Sequence, residues 1–204
     1  MPNWVENQII IKGIEEQTLT LLNEILENSN EEKCDTFGAA YEKVLTSAKH
    51  KIPNEEKTAT VLDEGLRFSS VFPIPDTFLL NDTTNEPDQF PDAVKEQSEG
   101  WGIIGWYDYN LRFFGCKWDC EMSMSIMETP IDSNECALSV ECDTPWASPI
   151  AFLERIMEKF GVKVYITAND VGQNCAFSGE VGGEIHDVTD EYFKQQIFSG
   201  TAIK

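Results

Sequence analysis

Two stretches of strict two-residue alternation constrain this chain more than any other feature. In 116–124, Cys116, Trp118, Cys120, Met122 and Met124 alternate with Lys117, Asp119, Glu121 and Ser123. In 136–143, Cys136, Leu138, Val140 and Cys142 alternate with Ala137, Ser139, Glu141 and Asp143. Successive side chains on a strand point to opposite faces, so each stretch reads as a β-strand with one apolar and one polar face. Pro130 and Asp132-Ser133-Asn134 lie between them and supply the turn chemistry of a hairpin. Strands that are apolar on one face need a second layer to cover it.

Helices supply that layer. Residues 4–12 end in Ile9-Ile10-Ile11 before Gly13 and read as a first strand. From Glu15 to Glu27, Leu19, Leu22, Ile25 and Leu26 recur at spacings of three and four, which predicts an amphipathic helix with Glu15 and Glu16 at the positive end of its dipole. Ser148-Pro149 predicts another helix start; Ile150, Leu153, Ile156, Met157 and Phe160 form its stripe, and Gly161 ends it. Val162, Val164 and Ile166 alternate with Lys163, Tyr165 and Thr167 in a further strand, 177–181 returns as its hairpin partner, and 190–197 reads as a short final helix.

Residues 30–115 interrupt this pattern. We read them as an insertion within one domain of 204 residues whose core is 1–29 plus 116–204. Phe37, Tyr41, Val44 and Leu45 keep helical spacing until Pro53, 55–66 reads as a second helical segment, 68–78 as extended, and 81–99 as a polar acidic loop. The aromatic segment 101–114 is open between helix and strand. The order strand, helix, insertion, strand, strand, helix, strand, with one extra strand, predicts an α+β fold: a ferredoxin-like βαββαβ antiparallel sheet with its helices on one face.

The opening MPNW with Asn7, the run GWYDYNLRFFGCKWD at 105–119, and SVECDTPWASP at 139–149 followed by a helix and FSGEVGG resemble the YubB-like proteins of phages and plasmids. The resemblance covers both ends and about the C-terminal half of the chain. It implies a mobile-element origin and a ferredoxin-like domain without an iron–sulfur cluster, and it carries over no catalytic residue.

Charge bounds the partners. Fifteen Lys and Arg against thirty-six Asp and Glu give −21 and a pI near 4.3. Such a balance opposes phosphate backbones and anionic lipid and favours basic partners, so we expect neither direct nucleic-acid nor membrane binding. Between Lys117 and Arg155 lie eight acids and no base. Solubility and a functional acidic surface both account for this. The N-terminal sequence has no basic, then apolar, leader pattern and no apolar run reaches membrane-spanning length, so the host-cell cytoplasm and reduced cysteines are the expectation.

No motif names a reaction, and the reading is of a non-enzymatic protein without cofactor or metal. Four cysteines, Cys116, Cys120, Cys136 and Cys142, invite zinc, but all share the apolar strand faces with Leu138 and Val140 rather than knuckle-like turns. His50 and His186 stand in no arrangement with a nucleophile. The polar strand faces are more informative: Asp119, Glu121, Glu141 and Asp143 present two rows of carboxylates that imitate a phosphate backbone and suit an inhibitor or adaptor of a basic host protein, such as a defence nuclease. One rival is a small-ligand or enzyme pocket between the insertion and the sheet, lined by Trp101, Trp106, Tyr107, Asp108 and Tyr109. Another is a homo-oligomer joined at a sheet edge.

Overall fold

The first strand lies inside a sheet and alternates between exposed and buried residues along most of its length. A computed structural model describes residues 3–53, 60–79, 105–129, 134–170 and 172–189. The acidic loop 81–99, Trp101, the turn residues Pro130, Asp132 and Ser133, and the expected helix at 190–197 lie outside them. From the N-terminus the elements are β1 (Trp4–Ile14), α1 (Glu15–Asn28), α2 (Phe37–Ser47), β2 (Lys49–Pro53), β3 (Thr60–Glu64), α3 (Phe68–Val71), α4 (Asp76–Leu79), α5 (Trp106–Phe113), β4 (Ser123–Met127), β5 (Glu135–Pro145), α6 (Ile150–Phe160), β6 (Lys163–Asp170), β7 (Cys175–Glu180) and β8 (Ile185–Asp187). The chain is an α+β protein.

The main sheet has the order β4-β5-β1-β6-β7-β8, and every neighbouring pair is antiparallel. Val5, Asn7, Ile9 and Ile11 of β1 are buried, and directly opposite them Cys142, Val140 and Leu138 of β5 and Val164, Ile166 and Ala168 of β6 share that face. Leu21, Leu22, Ile25 and Leu26 of α1 and Phe152, Leu153, Ile156 and Phe160 of α6 join the same cluster. Burying one such side chain contributes about 1.5–3 kcal/mol, so this layer dominates the stability. Gln17 fastens the helices to each other: its Oε1 accepts from the Ile14 N–H at 3.0 Å and its Nε2 donates to the Gly161 carbonyl at 2.8 Å. Gly161 takes φ +68 and ends α6, as its residue type allows. The Ser148 hydroxyl makes no capping bond.

The insertion packs on that layer through aromatic rings. Phe68 of α3 lies 4.4 Å from Phe152 of α6 between centroids, and Phe114, just past α5, lies 5.6 Å from Phe68 and 5.9 Å from Phe152. All three are fully buried. Two expectations here are corrected and an open one is decided. Residues 68–71 and 76–79 form the short helices α3 and α4 where an extended segment was expected. Residues 60–64 form strand β3, paired with β2 in a separate two-stranded sheet, instead of a helix; Lys49 faces Glu64 and His50 faces Asp63 across it. Residues 106–113 resolve as helix α5.

The larger correction concerns 116–124. Only Ser123 and Met124 of that stretch belong to a strand, which runs on to Met127. Gly115 at φ +80 turns the chain after α5, and the Cys116 and Cys120 thiols both donate to the Trp118 carbonyl, at 3.3 and 3.4 Å. In an extended strand those two residues would be about 13 Å apart, so the segment is curled. The chain then meets the insertion: the Met122 N–H donates to the Leu66 carbonyl at 2.9 Å, and Arg67 and Glu121 form an isolated antiparallel bridge. Among the described residues no helix is long and apolar enough to cross a membrane.

Candidate functional site

A missing length of strand builds the site. β4 pairs with β5 only from Ala137 to Glu141, whereas β5 continues to Pro145. From Cys142 onward β5 has no partner on that side among the described residues, because 116–121 curls away toward Arg67. The resulting notch at the sheet end is an open groove of about 760 Å³. Cys120, Met122 and Cys142 form its floor, Trp4 and Trp118 stand in its wall, and Arg67, Asp119, Glu121, Glu141 and Asp143 line the rest.

The wall belongs to a row of indoles. Trp4 and Trp118 have centroids 5.5 Å apart at 50°, and Trp118 and Trp146 lie 6.4 Å apart at 51°. Trp4 and Trp146 remain 42% and 48% exposed. Trp146 holds φ +63, a left-handed conformation that costs a bulky residue on the order of 1–3 kcal/mol. Its N–H donates to the Asn3 carbonyl at 2.8 Å, and the neighbouring loop is pinned by Thr144 Oγ1, which donates to the Ala147 carbonyl at 2.7 Å. Buried Asn7 stands behind it, its Nδ2 shared among the carbonyls of Val5 (2.8 Å) and Cys142 (3.0 Å) and Thr144 Oγ1 (2.9 Å). Three stretches far apart in sequence, around Trp4, Trp118 and Trp146, thus meet at one place.

No protein-family model and no curated protein matches this chain. Among solved structures, protein api92 from Yersinia pseudotuberculosis, assigned to the family DUF1281, is similar at 8% identity and a TM-score of 0.36, over 92% of this chain and 98% of that one.

The four carboxylates expected on the strands all line the groove, in two different states. Glu141 and Asp143 lie on the open face of β5, and Glu121 carries its carboxylate at 71% exposure. Asp143 sits directly opposite Glu6 of β1, so burial and the Glu6 charge both push its carboxyl above the usual range. Asp119 is corrected: it is half-buried and turned to the insertion, where its carboxylate accepts from the Ser69 N–H at 3.0 Å and from the Ser69 hydroxyl. Burial raises its carboxyl, opposed by the Ser69 donors and by nearby His50 and Arg67. Trp118, expected in the core with the cysteines, is half-buried in the groove wall instead.

Behind Asp119 lies a polar cluster from the insertion. Arg67 Nη1 donates to the Asp119 carbonyl at 2.8 Å, and its Nη2 is 3.9 Å from Glu121 Oε2. The His50 side chain is fully buried, its ring nitrogens have no hydrogen-bond partner among the described residues, and Nε2 is 3.7 Å from Asp63 Oδ2. Desolvation lowers its pKa, so the ring is held neutral, with Asp119 pulling the other way. Cys116 is raised far above the thiol range by its contact with Cys120 and by burial, and Cys142 by burial, which keeps both protonated. No group of three metal-ligating side chains occurs among the described residues.

The alternative pocket residues do not form this groove. Tyr109 is buried in the aromatic core, 4.6 Å from Phe113 and 5.8 Å from Phe78, its hydroxyl donating to the Pro73 carbonyl at 3.4 Å. Trp106 and Asp108 are half-buried on α5. Tyr107 reaches the site indirectly: the Lys117 ammonium sits 5.6 Å from its ring, 5.5 Å from that of Trp118 and 5.4 Å from that of Trp146. Trp4, Glu6, Arg67 and Trp146 escaped the sequence reading. Trp4 and Trp146 lay within recognised runs, whereas nothing local marks Arg67.

Proposed function

We propose that this chain is a binding protein whose indole-walled acidic groove captures a cationic segment of a basic protein. The observation that carries it is the juxtaposition of Glu121, Glu141 and Asp143, with Glu6 across from Asp143, against two indoles and a single guanidinium. Exposed indoles attract cations through their ring faces, and the surplus of carboxylates adds long-range steering. Cross-strand like charges such as Glu6 and Asp143 are unfavourable when left uncompensated, so a bound cation relieves them. The resemblance to phage and plasmid proteins fits a role as inhibitor or adaptor of a basic host protein, a defence nuclease being one such target.

The framework supporting the groove fits a ferredoxin-like reading. The order β6-β1-β5-β4, antiparallel throughout, with α1 after β1 and α6 after β5, is what a split βαββαβ plan produces, and β7 and β8 extend it at one edge.

The test is titration with a lysine- and arginine-rich peptide by calorimetry at several salt concentrations. Affinity should fall as salt rises, and by about tenfold or more when Glu121→Gln, Glu141→Gln and Asp143→Asn are combined. All three are exposed, so folding should survive. Salt-insensitive binding, or binding untouched by the triple change, sinks the proposal.

A further inference from the structure

The groove's own cations show which cationic chemistry it suits. Lys117 places its ammonium in an aromatic cage of Tyr107, Trp118 and Trp146, outside the ring of carboxylates. Arg67 places its guanidinium inside that ring, donating to the Asp119 carbonyl at 2.8 Å and lying 3.9 Å from Glu121. Beside it, Trp4 and Trp118 offer planar surfaces 5.5 Å apart and tilted by 50°. Glu141 and Asp143, two residues apart on one strand face, stand about 6.6 Å apart along that wall.

We infer that the group this groove recognises is the guanidinium of an arginine in the basic partner, a conclusion that rests on the proposed function. A guanidinium is planar: its edge forks onto a carboxylate while its face stacks on an indole, and both contacts form together. An ammonium is a compact, strongly hydrated point charge, which meets a carboxylate or a ring face but gains no matching fork. The caged position suited to an ammonium is already filled by Lys117. Arg67 is held by the Asp119 carbonyl and lies near Glu121, which leaves Glu141 and Asp143 of the groove for the incoming arginine, while Glu6, opposite Asp143, accepts from Asn169 Nδ2 at 3.0 Å.

Acetylated hexa-arginine and hexa-lysine peptides carry equal charge and separate this inference from the broader reading. Calorimetry with the full chain should give about tenfold tighter binding of the arginine peptide. Trp4→Leu should shrink that preference toward unity, weakening the arginine peptide more than the lysine peptide. Equal affinities for the two peptides in the unaltered chain overturn the guanidinium inference and leave the basic-partner proposal standing. Failure of both peptides to bind overturns both. The wild-type comparison decides by itself, so the result does not depend on how well the variant folds.

Discussion

Asp143→Asn should make the protein more stable and a weaker binder at once. Asp143 and Glu6 are direct cross-strand partners, and the Asp143 carboxyl is raised by burial and by that neighbour. Opposed side chains on antiparallel strands lie about 5 Å apart at Cβ, which in water-like dielectric corresponds to a repulsion of about 0.8 kcal/mol. Screening at 0.15 M salt, with a Debye length of about 8 Å, reduces this to about 0.4 kcal/mol. For a chain of this size the low-salt gain amounts to about 2 °C in Tm. Because the folded carboxyl titrates above its unfolded value, the native state binds more protons in that window and stability falls as pH rises through the folded pKa. The advantage of asparagine should therefore be full at neutral pH and fade as pH drops toward about 3.8, where the aspartate protonates in both states. Thermal unfolding at low and at 1 M salt, with peptide titration on the same samples, measures both signs. A variant that is destabilised, or one whose stabilisation persists unchanged at 1 M salt, refutes the electrostatic argument.

Three other outcomes follow from the fold. Phe152→Ala removes the ring on which Phe68, Phe72 and Phe114 converge and should cost about 3–5 kcal/mol in urea unfolding; a loss under 1.5 kcal/mol would show that the insertion does not depend on this contact. Neutral His50 has a folded pKa below its unfolded value, so the unfolded chain binds the extra proton and stability should fall as pH drops below about 6.5, by at most about 1.4 kcal/mol per pH unit. His50→Gln should remove that slope, and an unchanged slope would speak against a buried neutral ring. Gly179→Ala should detach β8, because a Cβ there would collide with the Glu184 carbonyl and come within 2.7 Å of Ile185 Cα; hydrogen exchange at 185–187 should then lose protection while β1 keeps its own.

Local pattern was sufficient wherever an element buries one face along its whole length. The β-branched run that ends 4–12, the period of two in 136–143 and 162–167 and the period of three to four in 15–27 and 150–160 all became elements of the expected kind, because burying those faces outweighs any competing local preference. It was insufficient at 116–121. There Cys116 and Cys120 do point inward, as their alternation with Lys117 and Glu121 suggests, but a curled segment satisfies the same inside-outside requirement as a strand.

The sequence by itself determined the α+β composition, the helices that cover the sheet, the burial of Cys116, Cys120 and Cys142, though not of Cys136, which is half-buried, and the negative sign of the surface. Tertiary structure alone decided that β4 begins at Ser123 and leaves β5 beyond Glu141 paired only with β1 among the described residues, that Asp119 turns from solvent to Ser69, and that Trp4, Trp118 and Trp146 form one row. The reason is physical. Periodicity reports which side of an element is buried, a local property, whereas a groove arises where one strand stops short of another, and that length is set by contacts from Leu66 and Arg67, some fifty residues away in the chain.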